Sequence, residues 1–358
     1  MINIYCIRPK GFNIGNDVIH VALNHFLRSA FKENLNIISL PATSKYESQK
    51  KAGLNSQTVY EINQFGHGLI IGGGNLYENS ELEINPMALK ALEVPMMLFS
   101  LSRGKIFNKR NELVDRTDVM TDDKIIMLNK RADISLSRDL ATTAYINDLG
   151  VKNKLGGCPT LFLNETPLHM VPISKENMTD ALISVRTPSL MSIPVDKQYA
   201  VKDELLEIIS ILKSKNYQNI KLFCHDHRDI PFAASFSDID YLYTDDVYTY
   251  LTYLRNTRLN VTYRLHSFLP ALAFNVPAIK ISYDQRALSM LETIGMDKWN
   301  INMVTQNAVA EVKNRISNLS DLDALKDKNR NQVWAELHST ISANFENFAK
   351  LVNNQKNK

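Results

Sequence analysis

What most constrains this chain is an alternation that runs through most of its length: short apolar runs of strand length, each followed by a stretch with helical spacing. Residues 2–7 read as a first strand. Residues 18–31 carry Ile19, Ala22, Leu23, Phe26, Leu27 and Ala30 in the steps of three and four that one helix face requires. Residues 35–40, 68–71, 94–101 and 132–136 are further strand-like runs, with a helix expected over 139–149. Near-continuous apolar runs suit parallel strands covered on both faces.

Pro159, Asn164, Pro167, Pro172 and Ser174 then punctuate a loop-rich stretch, which sets a domain junction near 165–178. Beyond it the alternation restarts. Strands are expected over 181–186, 220–224, 260–263 and 278–281, and a helical stripe at Val201, Leu205, Ile208, Ile209 and Leu212. Helices are expected over 245–255, capped by Thr244, and over 267–274. Trp334, Leu337, Ile341, Phe345, Phe348 and Val352 mark an amphipathic C-terminal helix, and the tail 353–358 reads as disordered. A chain of 358 residues suffices for two domains, at roughly 150 residues each. The expected fold is α/β, with two Rossmann-like doubly wound domains facing a cleft. The N-terminal domain would span 1–170, the C-terminal domain 171–325, and a long C-terminal helix and tail 326–358.

Composition narrows the function classes. The net charge of +3, with acidic and basic residues interspersed, is not that of a nucleic-acid binder. Cys6, Cys158 and Cys224 are odd in number and far apart. That excludes a disulfide framework and a close-spaced zinc motif and points to a reducing compartment. No run approaches the roughly 20 apolar residues of a transmembrane helix, and the first residues show no leader pattern. The expectation is a cytoplasmic protein, with peripheral attachment at the inner face of the membrane compatible with it. Asn-x-Ser/Thr triplets, such as that at Asn164, are then chance matches.

Candidate chemistry gathers where expected strands hand over to expected helices. One strand ends in Tyr263, Arg264, Leu265 and His266, and a helix opens at Ser267. Ligands of open α/β sheets bind outside the carboxyl ends of strands, and a helix start offers free N–H groups to an anion. Arg264 adds a planar fork for phosphate or carboxylate. His266 can donate to the same anion or move a proton. The plainer reading of these residues is a surface ion pair and a capping histidine. Gly72, Gly73 and Gly74, with Asn75, end another strand, where successive N–H groups form either an anion nest or a plain tight turn. Asn13, Gly15, Asn16 and Asp17 lie between the first strand and its helix. Asn16 or Asp17 caps that helix, or Asn13 and Asp17 face the cleft with Asp17 as a base toward a substrate hydroxyl. Ser137, Arg138 and Asp139 form a similar turn, read as Asp139 capping a helix with Arg138 in a buried ion pair. Arg186 ends the first strand of the second domain and can reach the cleft. The loop from Cys224 to Asp229 holds His225, Asp226 and His227, but neighbours on an extended loop point apart. No metal is therefore expected, and His225 is taken as a cleft residue.

In order along the chain, Asn13-Ile14-Gly15-Asn16-Asp17, Gly72-Gly73-Gly74-Asn75, Leu136-Ser137-Arg138-Asp139 and Gly157-Cys158-Pro159-Thr160 are followed by Arg264-Leu265-His266-Ser267. That last segment runs through Asn275-Val276-Pro277-Ala278-Ile279 to Tyr283-Asp284. Together they resemble the polysaccharide pyruvyl transferase family, over residues 10–295. The resemblance implies a glycosyltransferase-B-like fold and a role in cell-surface polysaccharide biosynthesis. Pyruvate would pass as a ketal from phosphoenolpyruvate, a co-substrate with no further cofactor, to a saccharide acceptor, free or lipid-linked. It places the donor on the C-terminal domain, at Arg264, His266, Ser267 and Arg186. It places the acceptor on the N-terminal domain, near Asn13, Gly15, Gly72, Gly73, Gly74 and Asn75, with His225 at the cleft. His266, Asp17 and Asp284 are the catalytic candidates, Asp284 alternatively capping the helix that holds Arg286. The family's usual first motif is Asn-x-Gly-Asp, and here Asn16 stands between Gly15 and Asp17. A homo-oligomer is compatible with all of this. Two other readings share the pattern. A nucleotide-sugar glycosyltransferase of the same architecture would need a late carboxylate such as Glu292 or Glu311. A non-catalytic phosphometabolite-binding protein would use its C-terminal helix as the contact element.

Overall fold

Each apolar run becomes a parallel strand. In the computed structural model, which describes residues 1–11, 13–45, 51–78 and 82–356, the first strands are β1 (Ile2–Arg8), β2 (Leu35–Pro41), β3 (Gly68–Gly74) and β4 (Met96–Leu101). A short antiparallel hairpin of β5 (Ile106–Phe107) and β6 (Leu113–Val114) follows, then β7 (Ile134–Ser137) and β8 (Lys154–Leu155). The first sheet runs β2-β1-β3-β4-β7-β8, with parallel pairing throughout. The second contains β9 (Ala181–Val185), β10 (Ile220–Cys224), β11 (Tyr241–Tyr243), β12 (Leu259–Thr262), β13 (Ala278–Ser282) and β14 (Ile301–Asn302). Its order is β11-β10-β9-β12-β13-β14, again parallel.

In each sheet the strand order turns back once, between β1 and β3 and between β9 and β12. Connections leaving the two strands at such a point diverge, and the crevice between them is where open α/β sheets bind ligands. β3, β4 and β9 are buried along their whole length, as strands covered by helices on both faces must be.

Helix Ala335–Lys356 returns from the second domain to the first. Phe345 meets Phe99 edge-on at 4.9 Å and Phe26 at 5.8 Å, and Phe348 meets Phe31 at 6.4 Å. Its last turn is tied down by Gln355, which donates to the Glu93 carbonyl, and by the Lys356–Glu33 ion pair at 2.7 Å. The expected disordered tail is therefore helical as far as Lys356, and 357–358 lie outside the described residues. Asp246, not Thr244, caps helix Val247–Arg255, because its carboxylate reaches the N–H groups of Tyr248 and Thr249. Among the described residues no helix is long and apolar enough to cross a membrane.

Candidate active site

The two switch points face each other across a cavity of about 410 Å³. Arg186 follows β9 and Arg264 follows β12, so the two arginines leave the two strands that flank the switch of the second sheet. Across the gap, Asn13 and Asn16 follow β1, and Gly74 and Asn75 end β3, at the switch of the first sheet. All of these line the cavity, together with His225, His266 and Asp284.

Arg264 is 7% exposed and held from below. Its Nε donates to the Val185 carbonyl at 2.9 Å, and Nη2 pairs with the fully buried Asp229. Asp229 in turn accepts from the Thr187 N–H at 3.0 Å. Arg186 is bound more loosely, with Nη1 3.6 Å from Asp229 and 3.7 Å from Asp226, and that nitrogen is buried with no hydrogen-bond partner. Burial and the neighbouring Arg264 both push the Arg186 pKa down, which is the signature of cations crowded together in a partly dry site. The loop considered for a metal spends its carboxylates on these arginines. Asp226 also pairs with Arg228, which holds its carboxyl at about 2 against the opposing effect of burial.

The position of His266 follows from Pro270. A proline inside a helix cannot donate to the carbonyl four residues back, and its ring crowds that carbonyl. Here the carbonyl is that of His266, whose backbone departs from helical geometry (φ −84°, ψ 26°) and which accepts instead from the Tyr250 hydroxyl at 3.0 Å. The His266 Nε2 is buried without a partner. Burial, then Arg138, Arg286 and Arg264, pull its pKa down to about 3, so the ring is neutral near pH 7. Gly15 of helix Ile14–Ala30 makes this placement possible from the other domain. A Cβ there would lie 3.0 Å from the His266 Cβ and 3.1 Å from its Nδ1.

Ser267 does not line the cavity. It is fully buried, donates to Asn260 Oδ1 at 3.1 Å and meets Ser184 Oγ at 2.8 Å. His225 joins the same buried network through Ser184 at 3.3 Å and is kept neutral by burial and the surrounding cations. Its carbonyl accepts from the Ile14 N–H at 2.9 Å, which ties the two domains together beside the cleft.

On the N-terminal side, Asn13 caps the helix by accepting from the Gly15 N–H at 3.0 Å, the role considered for Asn16 or Asp17. Asp17 lies outside the cavity and accepts from Arg8 Nη1 at 2.7 Å, so its placement does not fit a base toward the substrate. One helical step sends Asn16 to the cavity and Asp17 to the flank. Gly15, Gly72 and Gly73 also sit behind the lining: Gly72 is packed on Phe99 and Gly73 on Ile19. Gly73 (φ +47°) and Gly74 (φ +100°) take backbone conformations that L side chains rarely adopt, which turns the chain at the mouth of the site. Asp284 caps helix Gln285–Thr293 by accepting from the Ala287 N–H at 3.1 Å, and its other oxygen is taken by Arg286. Burial would raise its pKa, but the Arg286 pair holds it below the usual range, which makes it a poor proton acceptor. Arg286 also reaches the fully buried Glu78 of the first domain at 2.9 Å.

A family model described as polysaccharide pyruvyl transferase matches residues 13–285, from the Asn13 cap to the start of the helix that Asp284 caps. The chain belongs to the polysaccharide pyruvyl transferase family. No curated protein matches it. Among solved structures it resembles UDP-GlcNAc 2-epimerase from Neisseria meningitidis, bound to UDP-GlcNAc, at 8% identity and a TM-score of 0.56 over 92% of this chain and 94% of that one. It also resembles UDP-GlcNAc 2-epimerase from Methanocaldococcus jannaschii, in complex with UDP-GlcNAc and UDP, at 11% identity and a TM-score of 0.53 over 88% and 92%. UGT2 of Phytolacca americana, complexed with UDP-2fluoro-glucose and pterostilbene, matches at 13% identity and a TM-score of 0.50 over 100% and 99%. Likeness at these identities is one of fold, and the fold is glycosyltransferase-B-like: two α/β domains of parallel sheet with a long C-terminal helix.

Sequence reasoning set aside some groups that line the cavity, among them Arg138 and Arg286. For Arg138 the signal was present, since it follows the end of a strand just as Arg186 and Arg264 do. Arg286 lies inside a helix, where spacing gives no hint of a cleft.

Proposed function

We propose that this family member transfers pyruvate from phosphoenolpyruvate to two hydroxyls of a saccharide, forming a ketal. One observation carries the reading: Arg186 Nη1 and His266 Nε2 are buried without hydrogen-bond partners in the same cavity, beside Arg264. Unsatisfied buried polar groups cost about 1–3 kcal/mol each, and a small ligand with phosphate and carboxylate groups would satisfy both, with the His266 ring carrying its proton on Nε2.

In this reading Arg186 and Arg264 neutralise the donor. A phosphate dianion beside His266 raises the proton affinity of its ring, which burial and the arginines had depressed. The ring then delivers a proton to the donor methylene, and the central carbon gains oxocarbenium character. One acceptor hydroxyl adds to that carbon and inorganic phosphate leaves. A second hydroxyl closes the ketal. Of the two hydroxyl protons, one replaces that given to the new methyl group and the other departs with phosphate. No carboxylate is required as a base, in keeping with the engagement of Asp17 by Arg8 and of Asp284 by Arg286. The amides of Asn13, Asn16 and Asn75 are suited to the hydroxyls of the acceptor.

The test is mass spectrometry of free and lipid-linked saccharides incubated with the protein and phosphoenolpyruvate. The expected result is the gain of one pyruvyl ketal with release of one phosphate. Thermal stabilisation by a nucleotide sugar, with none by phosphoenolpyruvate, would replace this reading with that of a nucleotide-sugar glycosyltransferase.

A further inference from the structure

One buried cation of the second sheet takes no part in the mechanism above. Lys280 stands in β13 and is fully buried. It does not line the cavity. Its Nζ donates to the Tyr263 carbonyl at 3.2 Å and to the Ile281 carbonyl. The Tyr283 ring, which does line the cavity, has its centre 5.7 Å from that nitrogen. The carboxylate that acts on Lys280 is Asp284, and Asp284 is already paired with Arg286. A buried lysine with so little compensation is costly, and an apolar side chain would cost less in its place.

The pairing of β12 with β13 ends at Thr262, opposite Lys280. Tyr263 lies one residue past that ladder, and Arg264 comes next. Beyond the paired register, the Tyr263 carbonyl accepts from the Lys280 side chain instead of from a strand N–H. The N–H of the same peptide, that of Arg264, donates to Thr262 Oγ1 at 2.8 Å. Both polar groups of the Tyr263–Arg264 peptide are therefore bonded, and the plane cannot turn without breaking one of them. The guanidinium of Arg264 is anchored separately, by the Val185 carbonyl and Asp229. Its direction depends on the backbone from which it starts. Burial pulls the Lys280 pKa down to about 7, with Asp284 acting against that shift and Arg264 adding to it. The contact survives loss of the charge, since a neutral amine still has one N–H for each of the two carbonyls.

We propose that Lys280 is a positioning residue of the donor site: it locks the Tyr263–Arg264 peptide and so sets the direction in which the Arg264 fork enters the cavity. The identity of the donor rests on the reading under Proposed function. The peptide lock does not.

The experiment titrates the full-length protein with phosphoenolpyruvate and, separately, with inorganic phosphate, following thermal stabilisation. Lys280→Met, which keeps the length and removes the donors, and Lys280→Gln, which keeps an N–H donor, are compared with wild type and with Arg186→Gln. The melting temperature of Lys280→Met should stay close to that of wild type, because release from burying the amine offsets the lost hydrogen bonds. Its half-saturating concentration should rise about tenfold, and that of Lys280→Gln should rise less. In turnover assays KM for phosphoenolpyruvate should rise while KM for the acceptor stays put, a split that simple loosening of the fold would not produce. If both Lys280 variants titrate like wild type while Arg186→Gln does not, the lock is wrong and the donor reading stands. If both KM values rise together, or neither variant folds, Lys280 serves the scaffold alone and the lock is wrong. If wild type responds to inorganic phosphate alone, and Lys280→Met weakens that response, the lock stands and phosphoenolpyruvate is wrong. If wild type responds to neither ligand, both fall.

Discussion

The two walls of the cleft are built on the same plan and differ in how their polar groups are held. Both arise at the switch point of a parallel sheet. The C-terminal wall presents Arg186, near the carboxylates of Asp226 and Asp229, and Arg264, paired with Asp229. The N-terminal wall presents amides and glycine backbone, Asn13, Asn16, Gly74 and Asn75, beside the cations Lys45, Arg116 and Arg138. A charged group at a cleft must be anchored before the ligand arrives, because an unpaired buried charge costs more than any packing around it returns. Amides need no such anchoring. The arginines of the C-terminal wall are therefore preorganised by buried acids, and the amides of the N-terminal wall by backbone geometry.

The sharpest way to break this comparison is Arg264→Ala. Turnover should fall by about 10²–10³-fold or more. The fold should suffer too, because fully buried Asp229 loses its closest cation and keeps only the looser Arg186, a change worth up to about 3–5 kcal/mol. Adding Asp229→Asn should restore most of the melting temperature and none of the activity. Normal turnover in Arg264→Ala would show that the C-terminal wall is not the donor side.

Gly15→Ala tests whether the N-terminal wall acts on the chemistry by supporting His266. The added methyl would meet the imidazole at 3.0–3.1 Å. The ring must shift by a fraction of an ångström, and kcat should fall about tenfold. The melting temperature should hardly move, since alanine favours the helix by up to about 1 kcal/mol over glycine. An unchanged kcat would leave Gly15 a packing residue only. The smallest effect is expected from Asp17→Asn, which removes a partly exposed pair with Arg8 and should cost at most about 1 kcal/mol with turnover intact. A collapse of turnover there would return Asp17 to the site and undo the division between the walls.

Much of this was legible along the chain. The strands expected over 35–40, 220–224 and 278–281 match β2, β10 and β13 to within one residue, because each is a strand-length run dominated by apolar residues. The short edge strands β8, β11 and β14 left none, since two or three residues make no period. The Arg264–His266 turn was visible as a strand meeting a helix. That the Ser267 hydroxyl turns to Asn260 and Ser184 was not legible, because its helix is buried on every side from Ser267 to Ala273 and periodicity could not say which way a hydroxyl points. Asp17 and Asn16 differ by one position, and only the rotation of the helix in place separates flank from cleft.

By itself, then, the order of residues determined that two parallel sheets would form and that arginines, asparagines and glycines would stand at their carboxyl ends. Those outcomes depend on local periodicity and on chain connectivity. The pairing of Arg264 with Asp229 was decided only when the second sheet assembled, and the support of His266 by Gly15 only when the domains packed. Each joins residues distant in the chain, and their energies depend on burial and on separations of a few ångströms that no local pattern encodes.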